Sequence, residues 1–193
     1  KKKHLKLLDP LAKSLQFLWH FAHPDGSFGG YYGSRSTKFY NPAGILVLGE
    51  EIPEARALSS FMIRSIKESR VVTLSCMDEP NLVPMFNSFA WSASLVKKFS
   101  ANKESFPKDL NLPCNDRNPL RKDFSDAGLL VDRGAEYYSI INYKKGGVVQ
   151  HFVDYKLELL DTGAVFKSSQ GKFGSNQNFD PKSTFEMTEN KFA

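Results

Sequence analysis

A change of hydrophobic period is the strongest constraint on how this chain can fold. Over the first hundred residues apolar positions recur at helical spacing, and after residue 123 they alternate with polar ones. Helices therefore come first and strands second, which excludes the strand–helix alternation of a doubly wound parallel sheet. Between the two regimes, Pro107, Pro113 and Pro119 stand among Asn, Asp and alternating charges, and no period survives. The expected organisation is a helical domain over 1–105, a linker over 106–123 and an incomplete antiparallel β-domain over 124–193.

In the helical part, Leu11, Leu15, Leu18, Trp19 and Ala22 mark a first helix over 9–21, with Asp9 as N-cap and Pro10 in its first turn. Asn41-Pro42 repeats that signal ahead of a short helix over 43–48. Pro53 opens an amphipathic helix that turns Ala57, Phe61, Ile63 and Ile66 to one side. The β-branched run 71–77 reads as a short strand or an extended connection. A fourth helix over 84–98 carries Met85, Phe89, Ser92, Leu95 and Val96 along one side, and Asn87 and Trp91 sit together on its surface. In the second part, strands are expected over 127–131, 136–143 and 148–154, joined by turns at Arg133-Gly134 and Lys145-Gly146-Gly147. A further hairpin would pair 157–160 with 164–167 across Asp161-Thr162-Gly163.

Composition bounds the function. With 41% hydrophobic and 24% charged residues the chain is an ordinary globular one. Its net charge of +5 suits an anionic partner such as an acidic polysaccharide or oligosaccharide, or is simply a solvated surface. Neither Lys1-Lys2-Lys3 nor Lys144-Lys145 is flanked by a nucleic-acid module, so no nucleic-acid partner is expected. No apolar run reaches the length of a membrane span or of a signal peptide core. The chain begins abruptly in a basic helical pattern, so missing portions of a parent chain are added to the expected partners. Cys76 and Cys114 lack zinc spacing, and a disulfide between them stays open.

The phosphate-binding glycine loop, the two-histidine zinc helix, the nucleophile elbow and the EF-hand loop are all absent from the sequence, and no cofactor is implied. His20, His23 and Asp25 straddle a change from helix to turn, which favours surface or capping roles over a metal site. Asp78-Glu79 reads as dipole-favoured charge at a helix start. With Asp25, either would make the carboxylate pair that a toroid-type glycoside hydrolase needs.

The segment 23–42, HPDGSFGGYYGSRSTKFYNP, holds what remains. Pro24-Asp25-Gly26 is a tight turn, and Gly29-Gly30 permits close approach of another group to the backbone. Two readings stay open: a site displayed on a loop, or a helix–helix connection whose aromatics fill the core. As a site, Tyr31 or Tyr32 near Arg35 would supply a proton-transfer group, and Arg35 with Asn41 would neutralise a substrate carboxylate and so acidify the adjacent carbon. His23, Asp25, Tyr40, Asn41, Asn87 and Trp91 would line the sugar-binding surface.

The helix ending in PDGSFGG, followed by a Tyr/Arg loop and an amphipathic helix, resembles a helical pair of an α/α-toroid. The run FSDAGLLVDRGAEYYSIINYKKGGV resembles the start of the β-domain in heparinase II/III-like polysaccharide lyases. The resemblance implies an α+β multidomain fold, toroid-like helical hairpins followed by an antiparallel β-sandwich. It also implies β-elimination on a uronate polymer and a periplasmic or extracellular setting. Where those lyases carry a catalytic histidine after the second β-strand, this chain reads KKGGVVQHF, which makes His151 the further proton-transfer candidate. The rival reading is a non-catalytic carbohydrate-binding or assembly module with Tyr31, Tyr32, Tyr40 and Trp91 as stacking surfaces.

Overall fold

The structure is a computed structural model that describes residues 2–33, 40–101 and 112–176. It is a mixed α+β chain of two compact units, one comprising Lys1–Gly29 and Thr37–Asp116, the other Gly30–Ser36 and Arg117–Ala193.

The first unit is helical. Its elements are α1 (Lys2–Leu18), α2 (Pro42–Leu48), α3 (Pro53–Lys67) and α4 (Glu79–Ala101). Pro42 and Pro53 each occupy the first turn of their helix, where the missing N–H is no loss. α3 buries Ala55, Ala57, Leu58, Phe61 and Met62, while Ile63 and Ile66 are only half-buried. α2 packs on α3 and α4, and Gln16 Nε2 donates to Glu54 Oε1 at 2.9 Å between α1 and α3. On α4, Met85, Ser92 and Phe99 are buried, and Asn87 and Trp91 stand on the exposed side as the spacing predicts.

Two expectations are corrected here, and the open reading of 71–77 is decided in favour of a connection. α1 begins at Lys2 and runs through Asp9 and Pro10, so this pair is not its cap. An Asp-Pro step is compatible with a helix start or with a helix interior, and the basic segment before it continues the helix. α4 likewise starts ahead of Pro84, with Asp78 preceding its first residue and accepting from Asn81 Nδ2 at 2.9 Å. The 71–77 run forms no strand. A single 3-10 turn, Leu74–Cys76, replaces it, because this unit offers no neighbouring strand to satisfy an extended backbone among the described residues.

The second unit is built on a five-stranded antiparallel meander in the order β1-β2-β3-β4-β5. The strands are β1 (Leu120–Phe124), β2 (Leu129–Arg133), β3 (Tyr137–Asn142), β4 (Val148–Val153) and β5 (Lys156–Asp161). All of β1 but Phe124 falls inside the stretch expected as linker, since its sequence, LRKDF, carries exposed charges at its centre and little hydrophobic signal. β6 (Val165–Lys167) pairs with β7 (Phe173–Ser175) in a separate two-stranded sheet, not with β5 as expected. The core face of the meander carries Val131, Tyr138, Ile140, Val148 and Phe152, all nearly inaccessible. The segment after Gly29 lies on the same unit: Asn142 Nδ2 donates to Tyr32 O, and Lys145 Nζ donates to Tyr31 O at 2.7 Å and Gly33 O at 3.0 Å. A Cβ at Gly30 would collide with the side chain of Gln150, so glycine is what lets this segment approach.

α3 ends in a Schellman arrangement, with Arg70 N–H donating to Ser65 O at 2.9 Å and Ser69 N–H to Ile66 O at 3.1 Å. The left-handed position is held by Ser69 at φ 54°, a conformation that favours glycine. Ser69→Gly is therefore expected to stabilise the helical unit by about 1 kcal/mol. Both tryptophans, Trp19 and Trp91, belong to that unit, so denaturation followed by tryptophan fluorescence reads it directly.

Candidate functional site

The turn at the start of the glycine loop is a closed polar knot. Ala22 and Phe28 form an isolated antiparallel bridge, and His23 N–H donates to Ser27 O at 2.9 Å across the turn. Asp25 Oδ1 accepts from Ser27 N–H at 2.9 Å and from Ser27 Oγ–H at 2.6 Å. With its proton on Asp25, Ser27 Oγ accepts from His23 Nδ1–H at 2.8 Å. The three side chains common to many hydrolases are thus present in the wrong order: the serine lies between histidine and aspartate, and both it and His23 are buried. Their role is to satisfy a buried turn.

Tyr40 closes the knot. Its hydroxyl donates to Gly26 O at 2.6 Å and its ring packs edge-on against Phe28 and Phe61. Burial, its largest influence, pushes the phenol pKa above the ordinary range. Tyr40, His23 and Asp25 are thereby placed as packing and turn residues of the helical unit. Asn41 is exposed and makes no side-chain cap, Tyr31 is exposed, and the Tyr32 side chain is buried in the sheet unit. Arg35 lies outside the described residues. Asp78 and Glu79 are exposed at the start of α4. Cys76 and Cys114 are free thiols, so no disulfide joins them.

The sheet assembles a different group. Arg121, Asp132, Ser139 and His151 are successive register partners on β1 to β4, so all four side chains project from one face. Tyr137, two residues before Ser139, joins that face. Arg121 Nε donates to Asp132 Oδ1 and Tyr137 Oη to Asp132 Oδ2, each at 2.9 Å. The Tyr137 ring lies 5.7 Å from the His151 ring, tilted by 32°. One hydrogen bond of 2.7 Å between Ser139 Oγ and His151 Nδ1 orients the imidazole, and no partner is found for Nε2 among the described residues. Burial first, then donation to the Asp132 carboxylate, raises the Tyr137 pKa and keeps the phenol protonated. Gly134 makes room for this ring, because a Cβ there would press into Tyr137 Cε1.

Chemically, the face offers a protonated phenol, an oriented imidazole, a hydroxyl and a guanidinium–carboxylate pair. Of these five residues the sequence names only His151, and it does so through the family resemblance. Arg121, Asp132, Tyr137 and Ser139 carry no motif, and only strand register unites them. Among the described residues no group of three or more His, Cys, Asp or Glu could hold a metal ion, and no helix is long and apolar enough to cross a membrane. Compared with family models, curated proteins and solved structures, the chain matches none.

Two outcomes check these geometries. Asp25→Ala strands the Ser27 hydroxyl and is expected to destabilise the helical unit by about 1–3 kcal/mol, with Asp25→Asn milder because it keeps an acceptor oxygen. Tryptophan-monitored denaturation measures both. In the sheet unit, Tyr143 Oη donates to Asp123 Oδ1 at 2.9 Å, and burial followed by this bond pushes its pKa up to about 12. An unfolded tyrosine titrates near about 10, so above that pH the unfolded chain releases a proton that the folded chain retains. This contribution to stability is full below the unfolded value and falls as pH rises toward the folded one. Tyr143→Phe should flatten that alkaline loss in pH-dependent unfolding followed by near-ultraviolet circular dichroism.

Proposed function

We propose that the chain acts on an acidic, uronate-containing glycan at the polar row of its meander, where Arg121 and Tyr137 are exposed and His151 is half-buried, with His151 and Tyr137 as the proton-transfer pair of a β-elimination. The observation that carries this reading is the in-register row Arg121–Asp132–Ser139–His151 with Tyr137 stacked on the imidazole. Elimination needs a base for the carbon-bound proton next to the carboxylate and an acid for the departing glycosidic oxygen. His151, held through Nδ1, presents Nε2 as the base. Tyr137, kept protonated, is the acid. The +5 net charge draws a polyanionic substrate toward the chain.

The same proposal takes the helical unit as part of an α/α-toroid and the meander as part of a β-sandwich. The packed helices α2, α3 and α4 support the first. Burial of all five β2 residues supports the second, since a strand covered on both faces belongs to a layered arrangement. A second reading, binding without turnover, draws on the Arg121–Asp132 ion pair: a guanidinium already neutralised is a weaker electrophilic partner for a substrate carboxylate.

The test is an elimination assay on a panel of uronate polysaccharides, following the ultraviolet absorbance of the unsaturated product, with calorimetric binding in parallel. Wild type should form product, and His151→Ala and Tyr137→Phe should each lower kcat by about a hundredfold or more. Binding without product, weakened by His151→Ala, selects the non-catalytic reading. Neither binding nor product on any polymer sinks both.

A further inference from the structure

The helical unit carries a groove between α3 and α4 that packing among the described residues does not fill. One section has a volume of about 390 Å³, and a neighbouring section of about 320 Å³ shares Ile63, Lys67 and Val96 with it. Each volume sits at the lower end of the range of about 300–1,000 Å³ found for small-molecule sites, which form readily between packed helices. The floor is apolar: Ile63, Ile66, Phe89 and Val96 line it, and all four are half-buried. These are the positions at which the inward faces of the two helices stop short of closing on each other.

The rim is cationic. Lys67 on α3 and Lys97 on α4 line the larger section, and Arg64 lines its neighbour. No carboxylate pairs with any of the three among the described residues. The acidic residue at this rim, Glu68, is engaged by Arg70 Nε at 2.7 Å. The nearby hydroxyls are already committed, Ser92 Oγ donating to Ser88 O at 2.7 Å and Ser60 Oγ to Arg56 O at 2.8 Å. What is left to a ligand is an apolar floor under unpaired positive charge.

We propose that this groove binds a small amphiphilic anion, its aliphatic body against Ile63, Ile66, Phe89 and Val96 and its acidic head at Lys67 and Lys97. Apolar burial supplies the affinity, at about 25 cal/mol per Å² of surface removed from water. The two ammonium groups select an anionic head over a neutral one. The head is defined by its charge, so carboxylate and phosphate are the two forms to separate. The site is independent of the glycan face and stands or falls without it.

Decanoate, decyl phosphate and decanol, each below its micellar concentration, are titrated against the intact chain and followed by calorimetry and by methyl NMR shifts of Ile63 and Ile66. Saturable binding of decanoate or decyl phosphate is expected, with decanol weaker by about tenfold, the equivalent of one charge-assisted hydrogen bond. The tighter of the two anions identifies the head group. Lys67→Gln and Lys97→Gln are surface substitutions, and each is expected to weaken anion binding several-fold while leaving decanol unchanged. Equal affinity for decanol and the anions, anion binding undiminished in the Lys67→Gln/Lys97→Gln double variant, or no saturable binding at all would overturn the proposal.

Discussion

Strand register is the constraint on which the sheet unit depends. Side chains alternate between faces, so a slip of one residue between β2 and β3 would send Asp132 and Ser139 to opposite sides. It would also break the Val131–Ile140 pairing on the core face and the Leu130–Ile141 pairing on the face of the polar row. The hydrophobic residues on the buried face therefore fix the polar row on the other face. That is why an ion pair and a phenol–imidazole stack can persist at a partly solvated surface, where isolated pairs of this kind contribute little by themselves. The sheet holds the geometry, and the polar row inherits it.

In the helical unit the corresponding constraint is the turn between Ala22 and Phe28. A buried aspartate–serine–histidine chain satisfies the polar groups of a reversal that would otherwise bury them without partners, at a penalty of about 1–3 kcal/mol each. Tyr40 then seals it by accepting burial of its hydroxyl in exchange for Gly26 O. The glycine loop thus resolves into two structural duties. Its first part plugs the helical core, and the Gly30–Gly33 part is fastened by Asn142 and Lys145 to the sheet unit.

Much of this was legible from the residues. Helix and strand regimes follow from periodicity, and α2, α3 and the β2–β4 meander lie close to where spacing puts them. Proline misled at Pro10 and Pro84, because a proline marks either the first turn of a helix or a tolerated interior position, and its neighbours over a longer range decide. β1 was hidden because an exposed charged strand is recognised by its partner, Leu129–Arg133, and not by its own hydrophobicity. The turn at Asp154 and Tyr155 was missed for a related reason: both take positive φ, at 46° and 63°, without the Asn-Gly signature that usually announces such a hairpin. Tyrosine and histidine are residue types the sequence draws attention to, yet which tyrosine meets which histidine depends on pairings separated by more than ten residues. Tyr137 reaches His151 only through the β3–β4 register, and no local pattern encodes that contact.

The two surfaces differ in how they treat charge, and this bears on what each can recognise. On the sheet, Arg121 and Asp132 neutralise one another, leaving directional groups, a phenol, an imidazole and a hydroxyl, whose positions the register fixes. On the helices, Lys67 and Lys97 have no carboxylate partner among the described residues and stand on flexible stems above an apolar floor, an arrangement suited to sign of charge and hydrophobic bulk more than to shape. The glycan proposed for the first surface offers several donors and acceptors and little to bury. It would waste the second, where every hydroxyl placed against Ile66 or Phe89 would lose its water without gaining a partner. The chemistry of the side chains therefore separates the two proposed ligands.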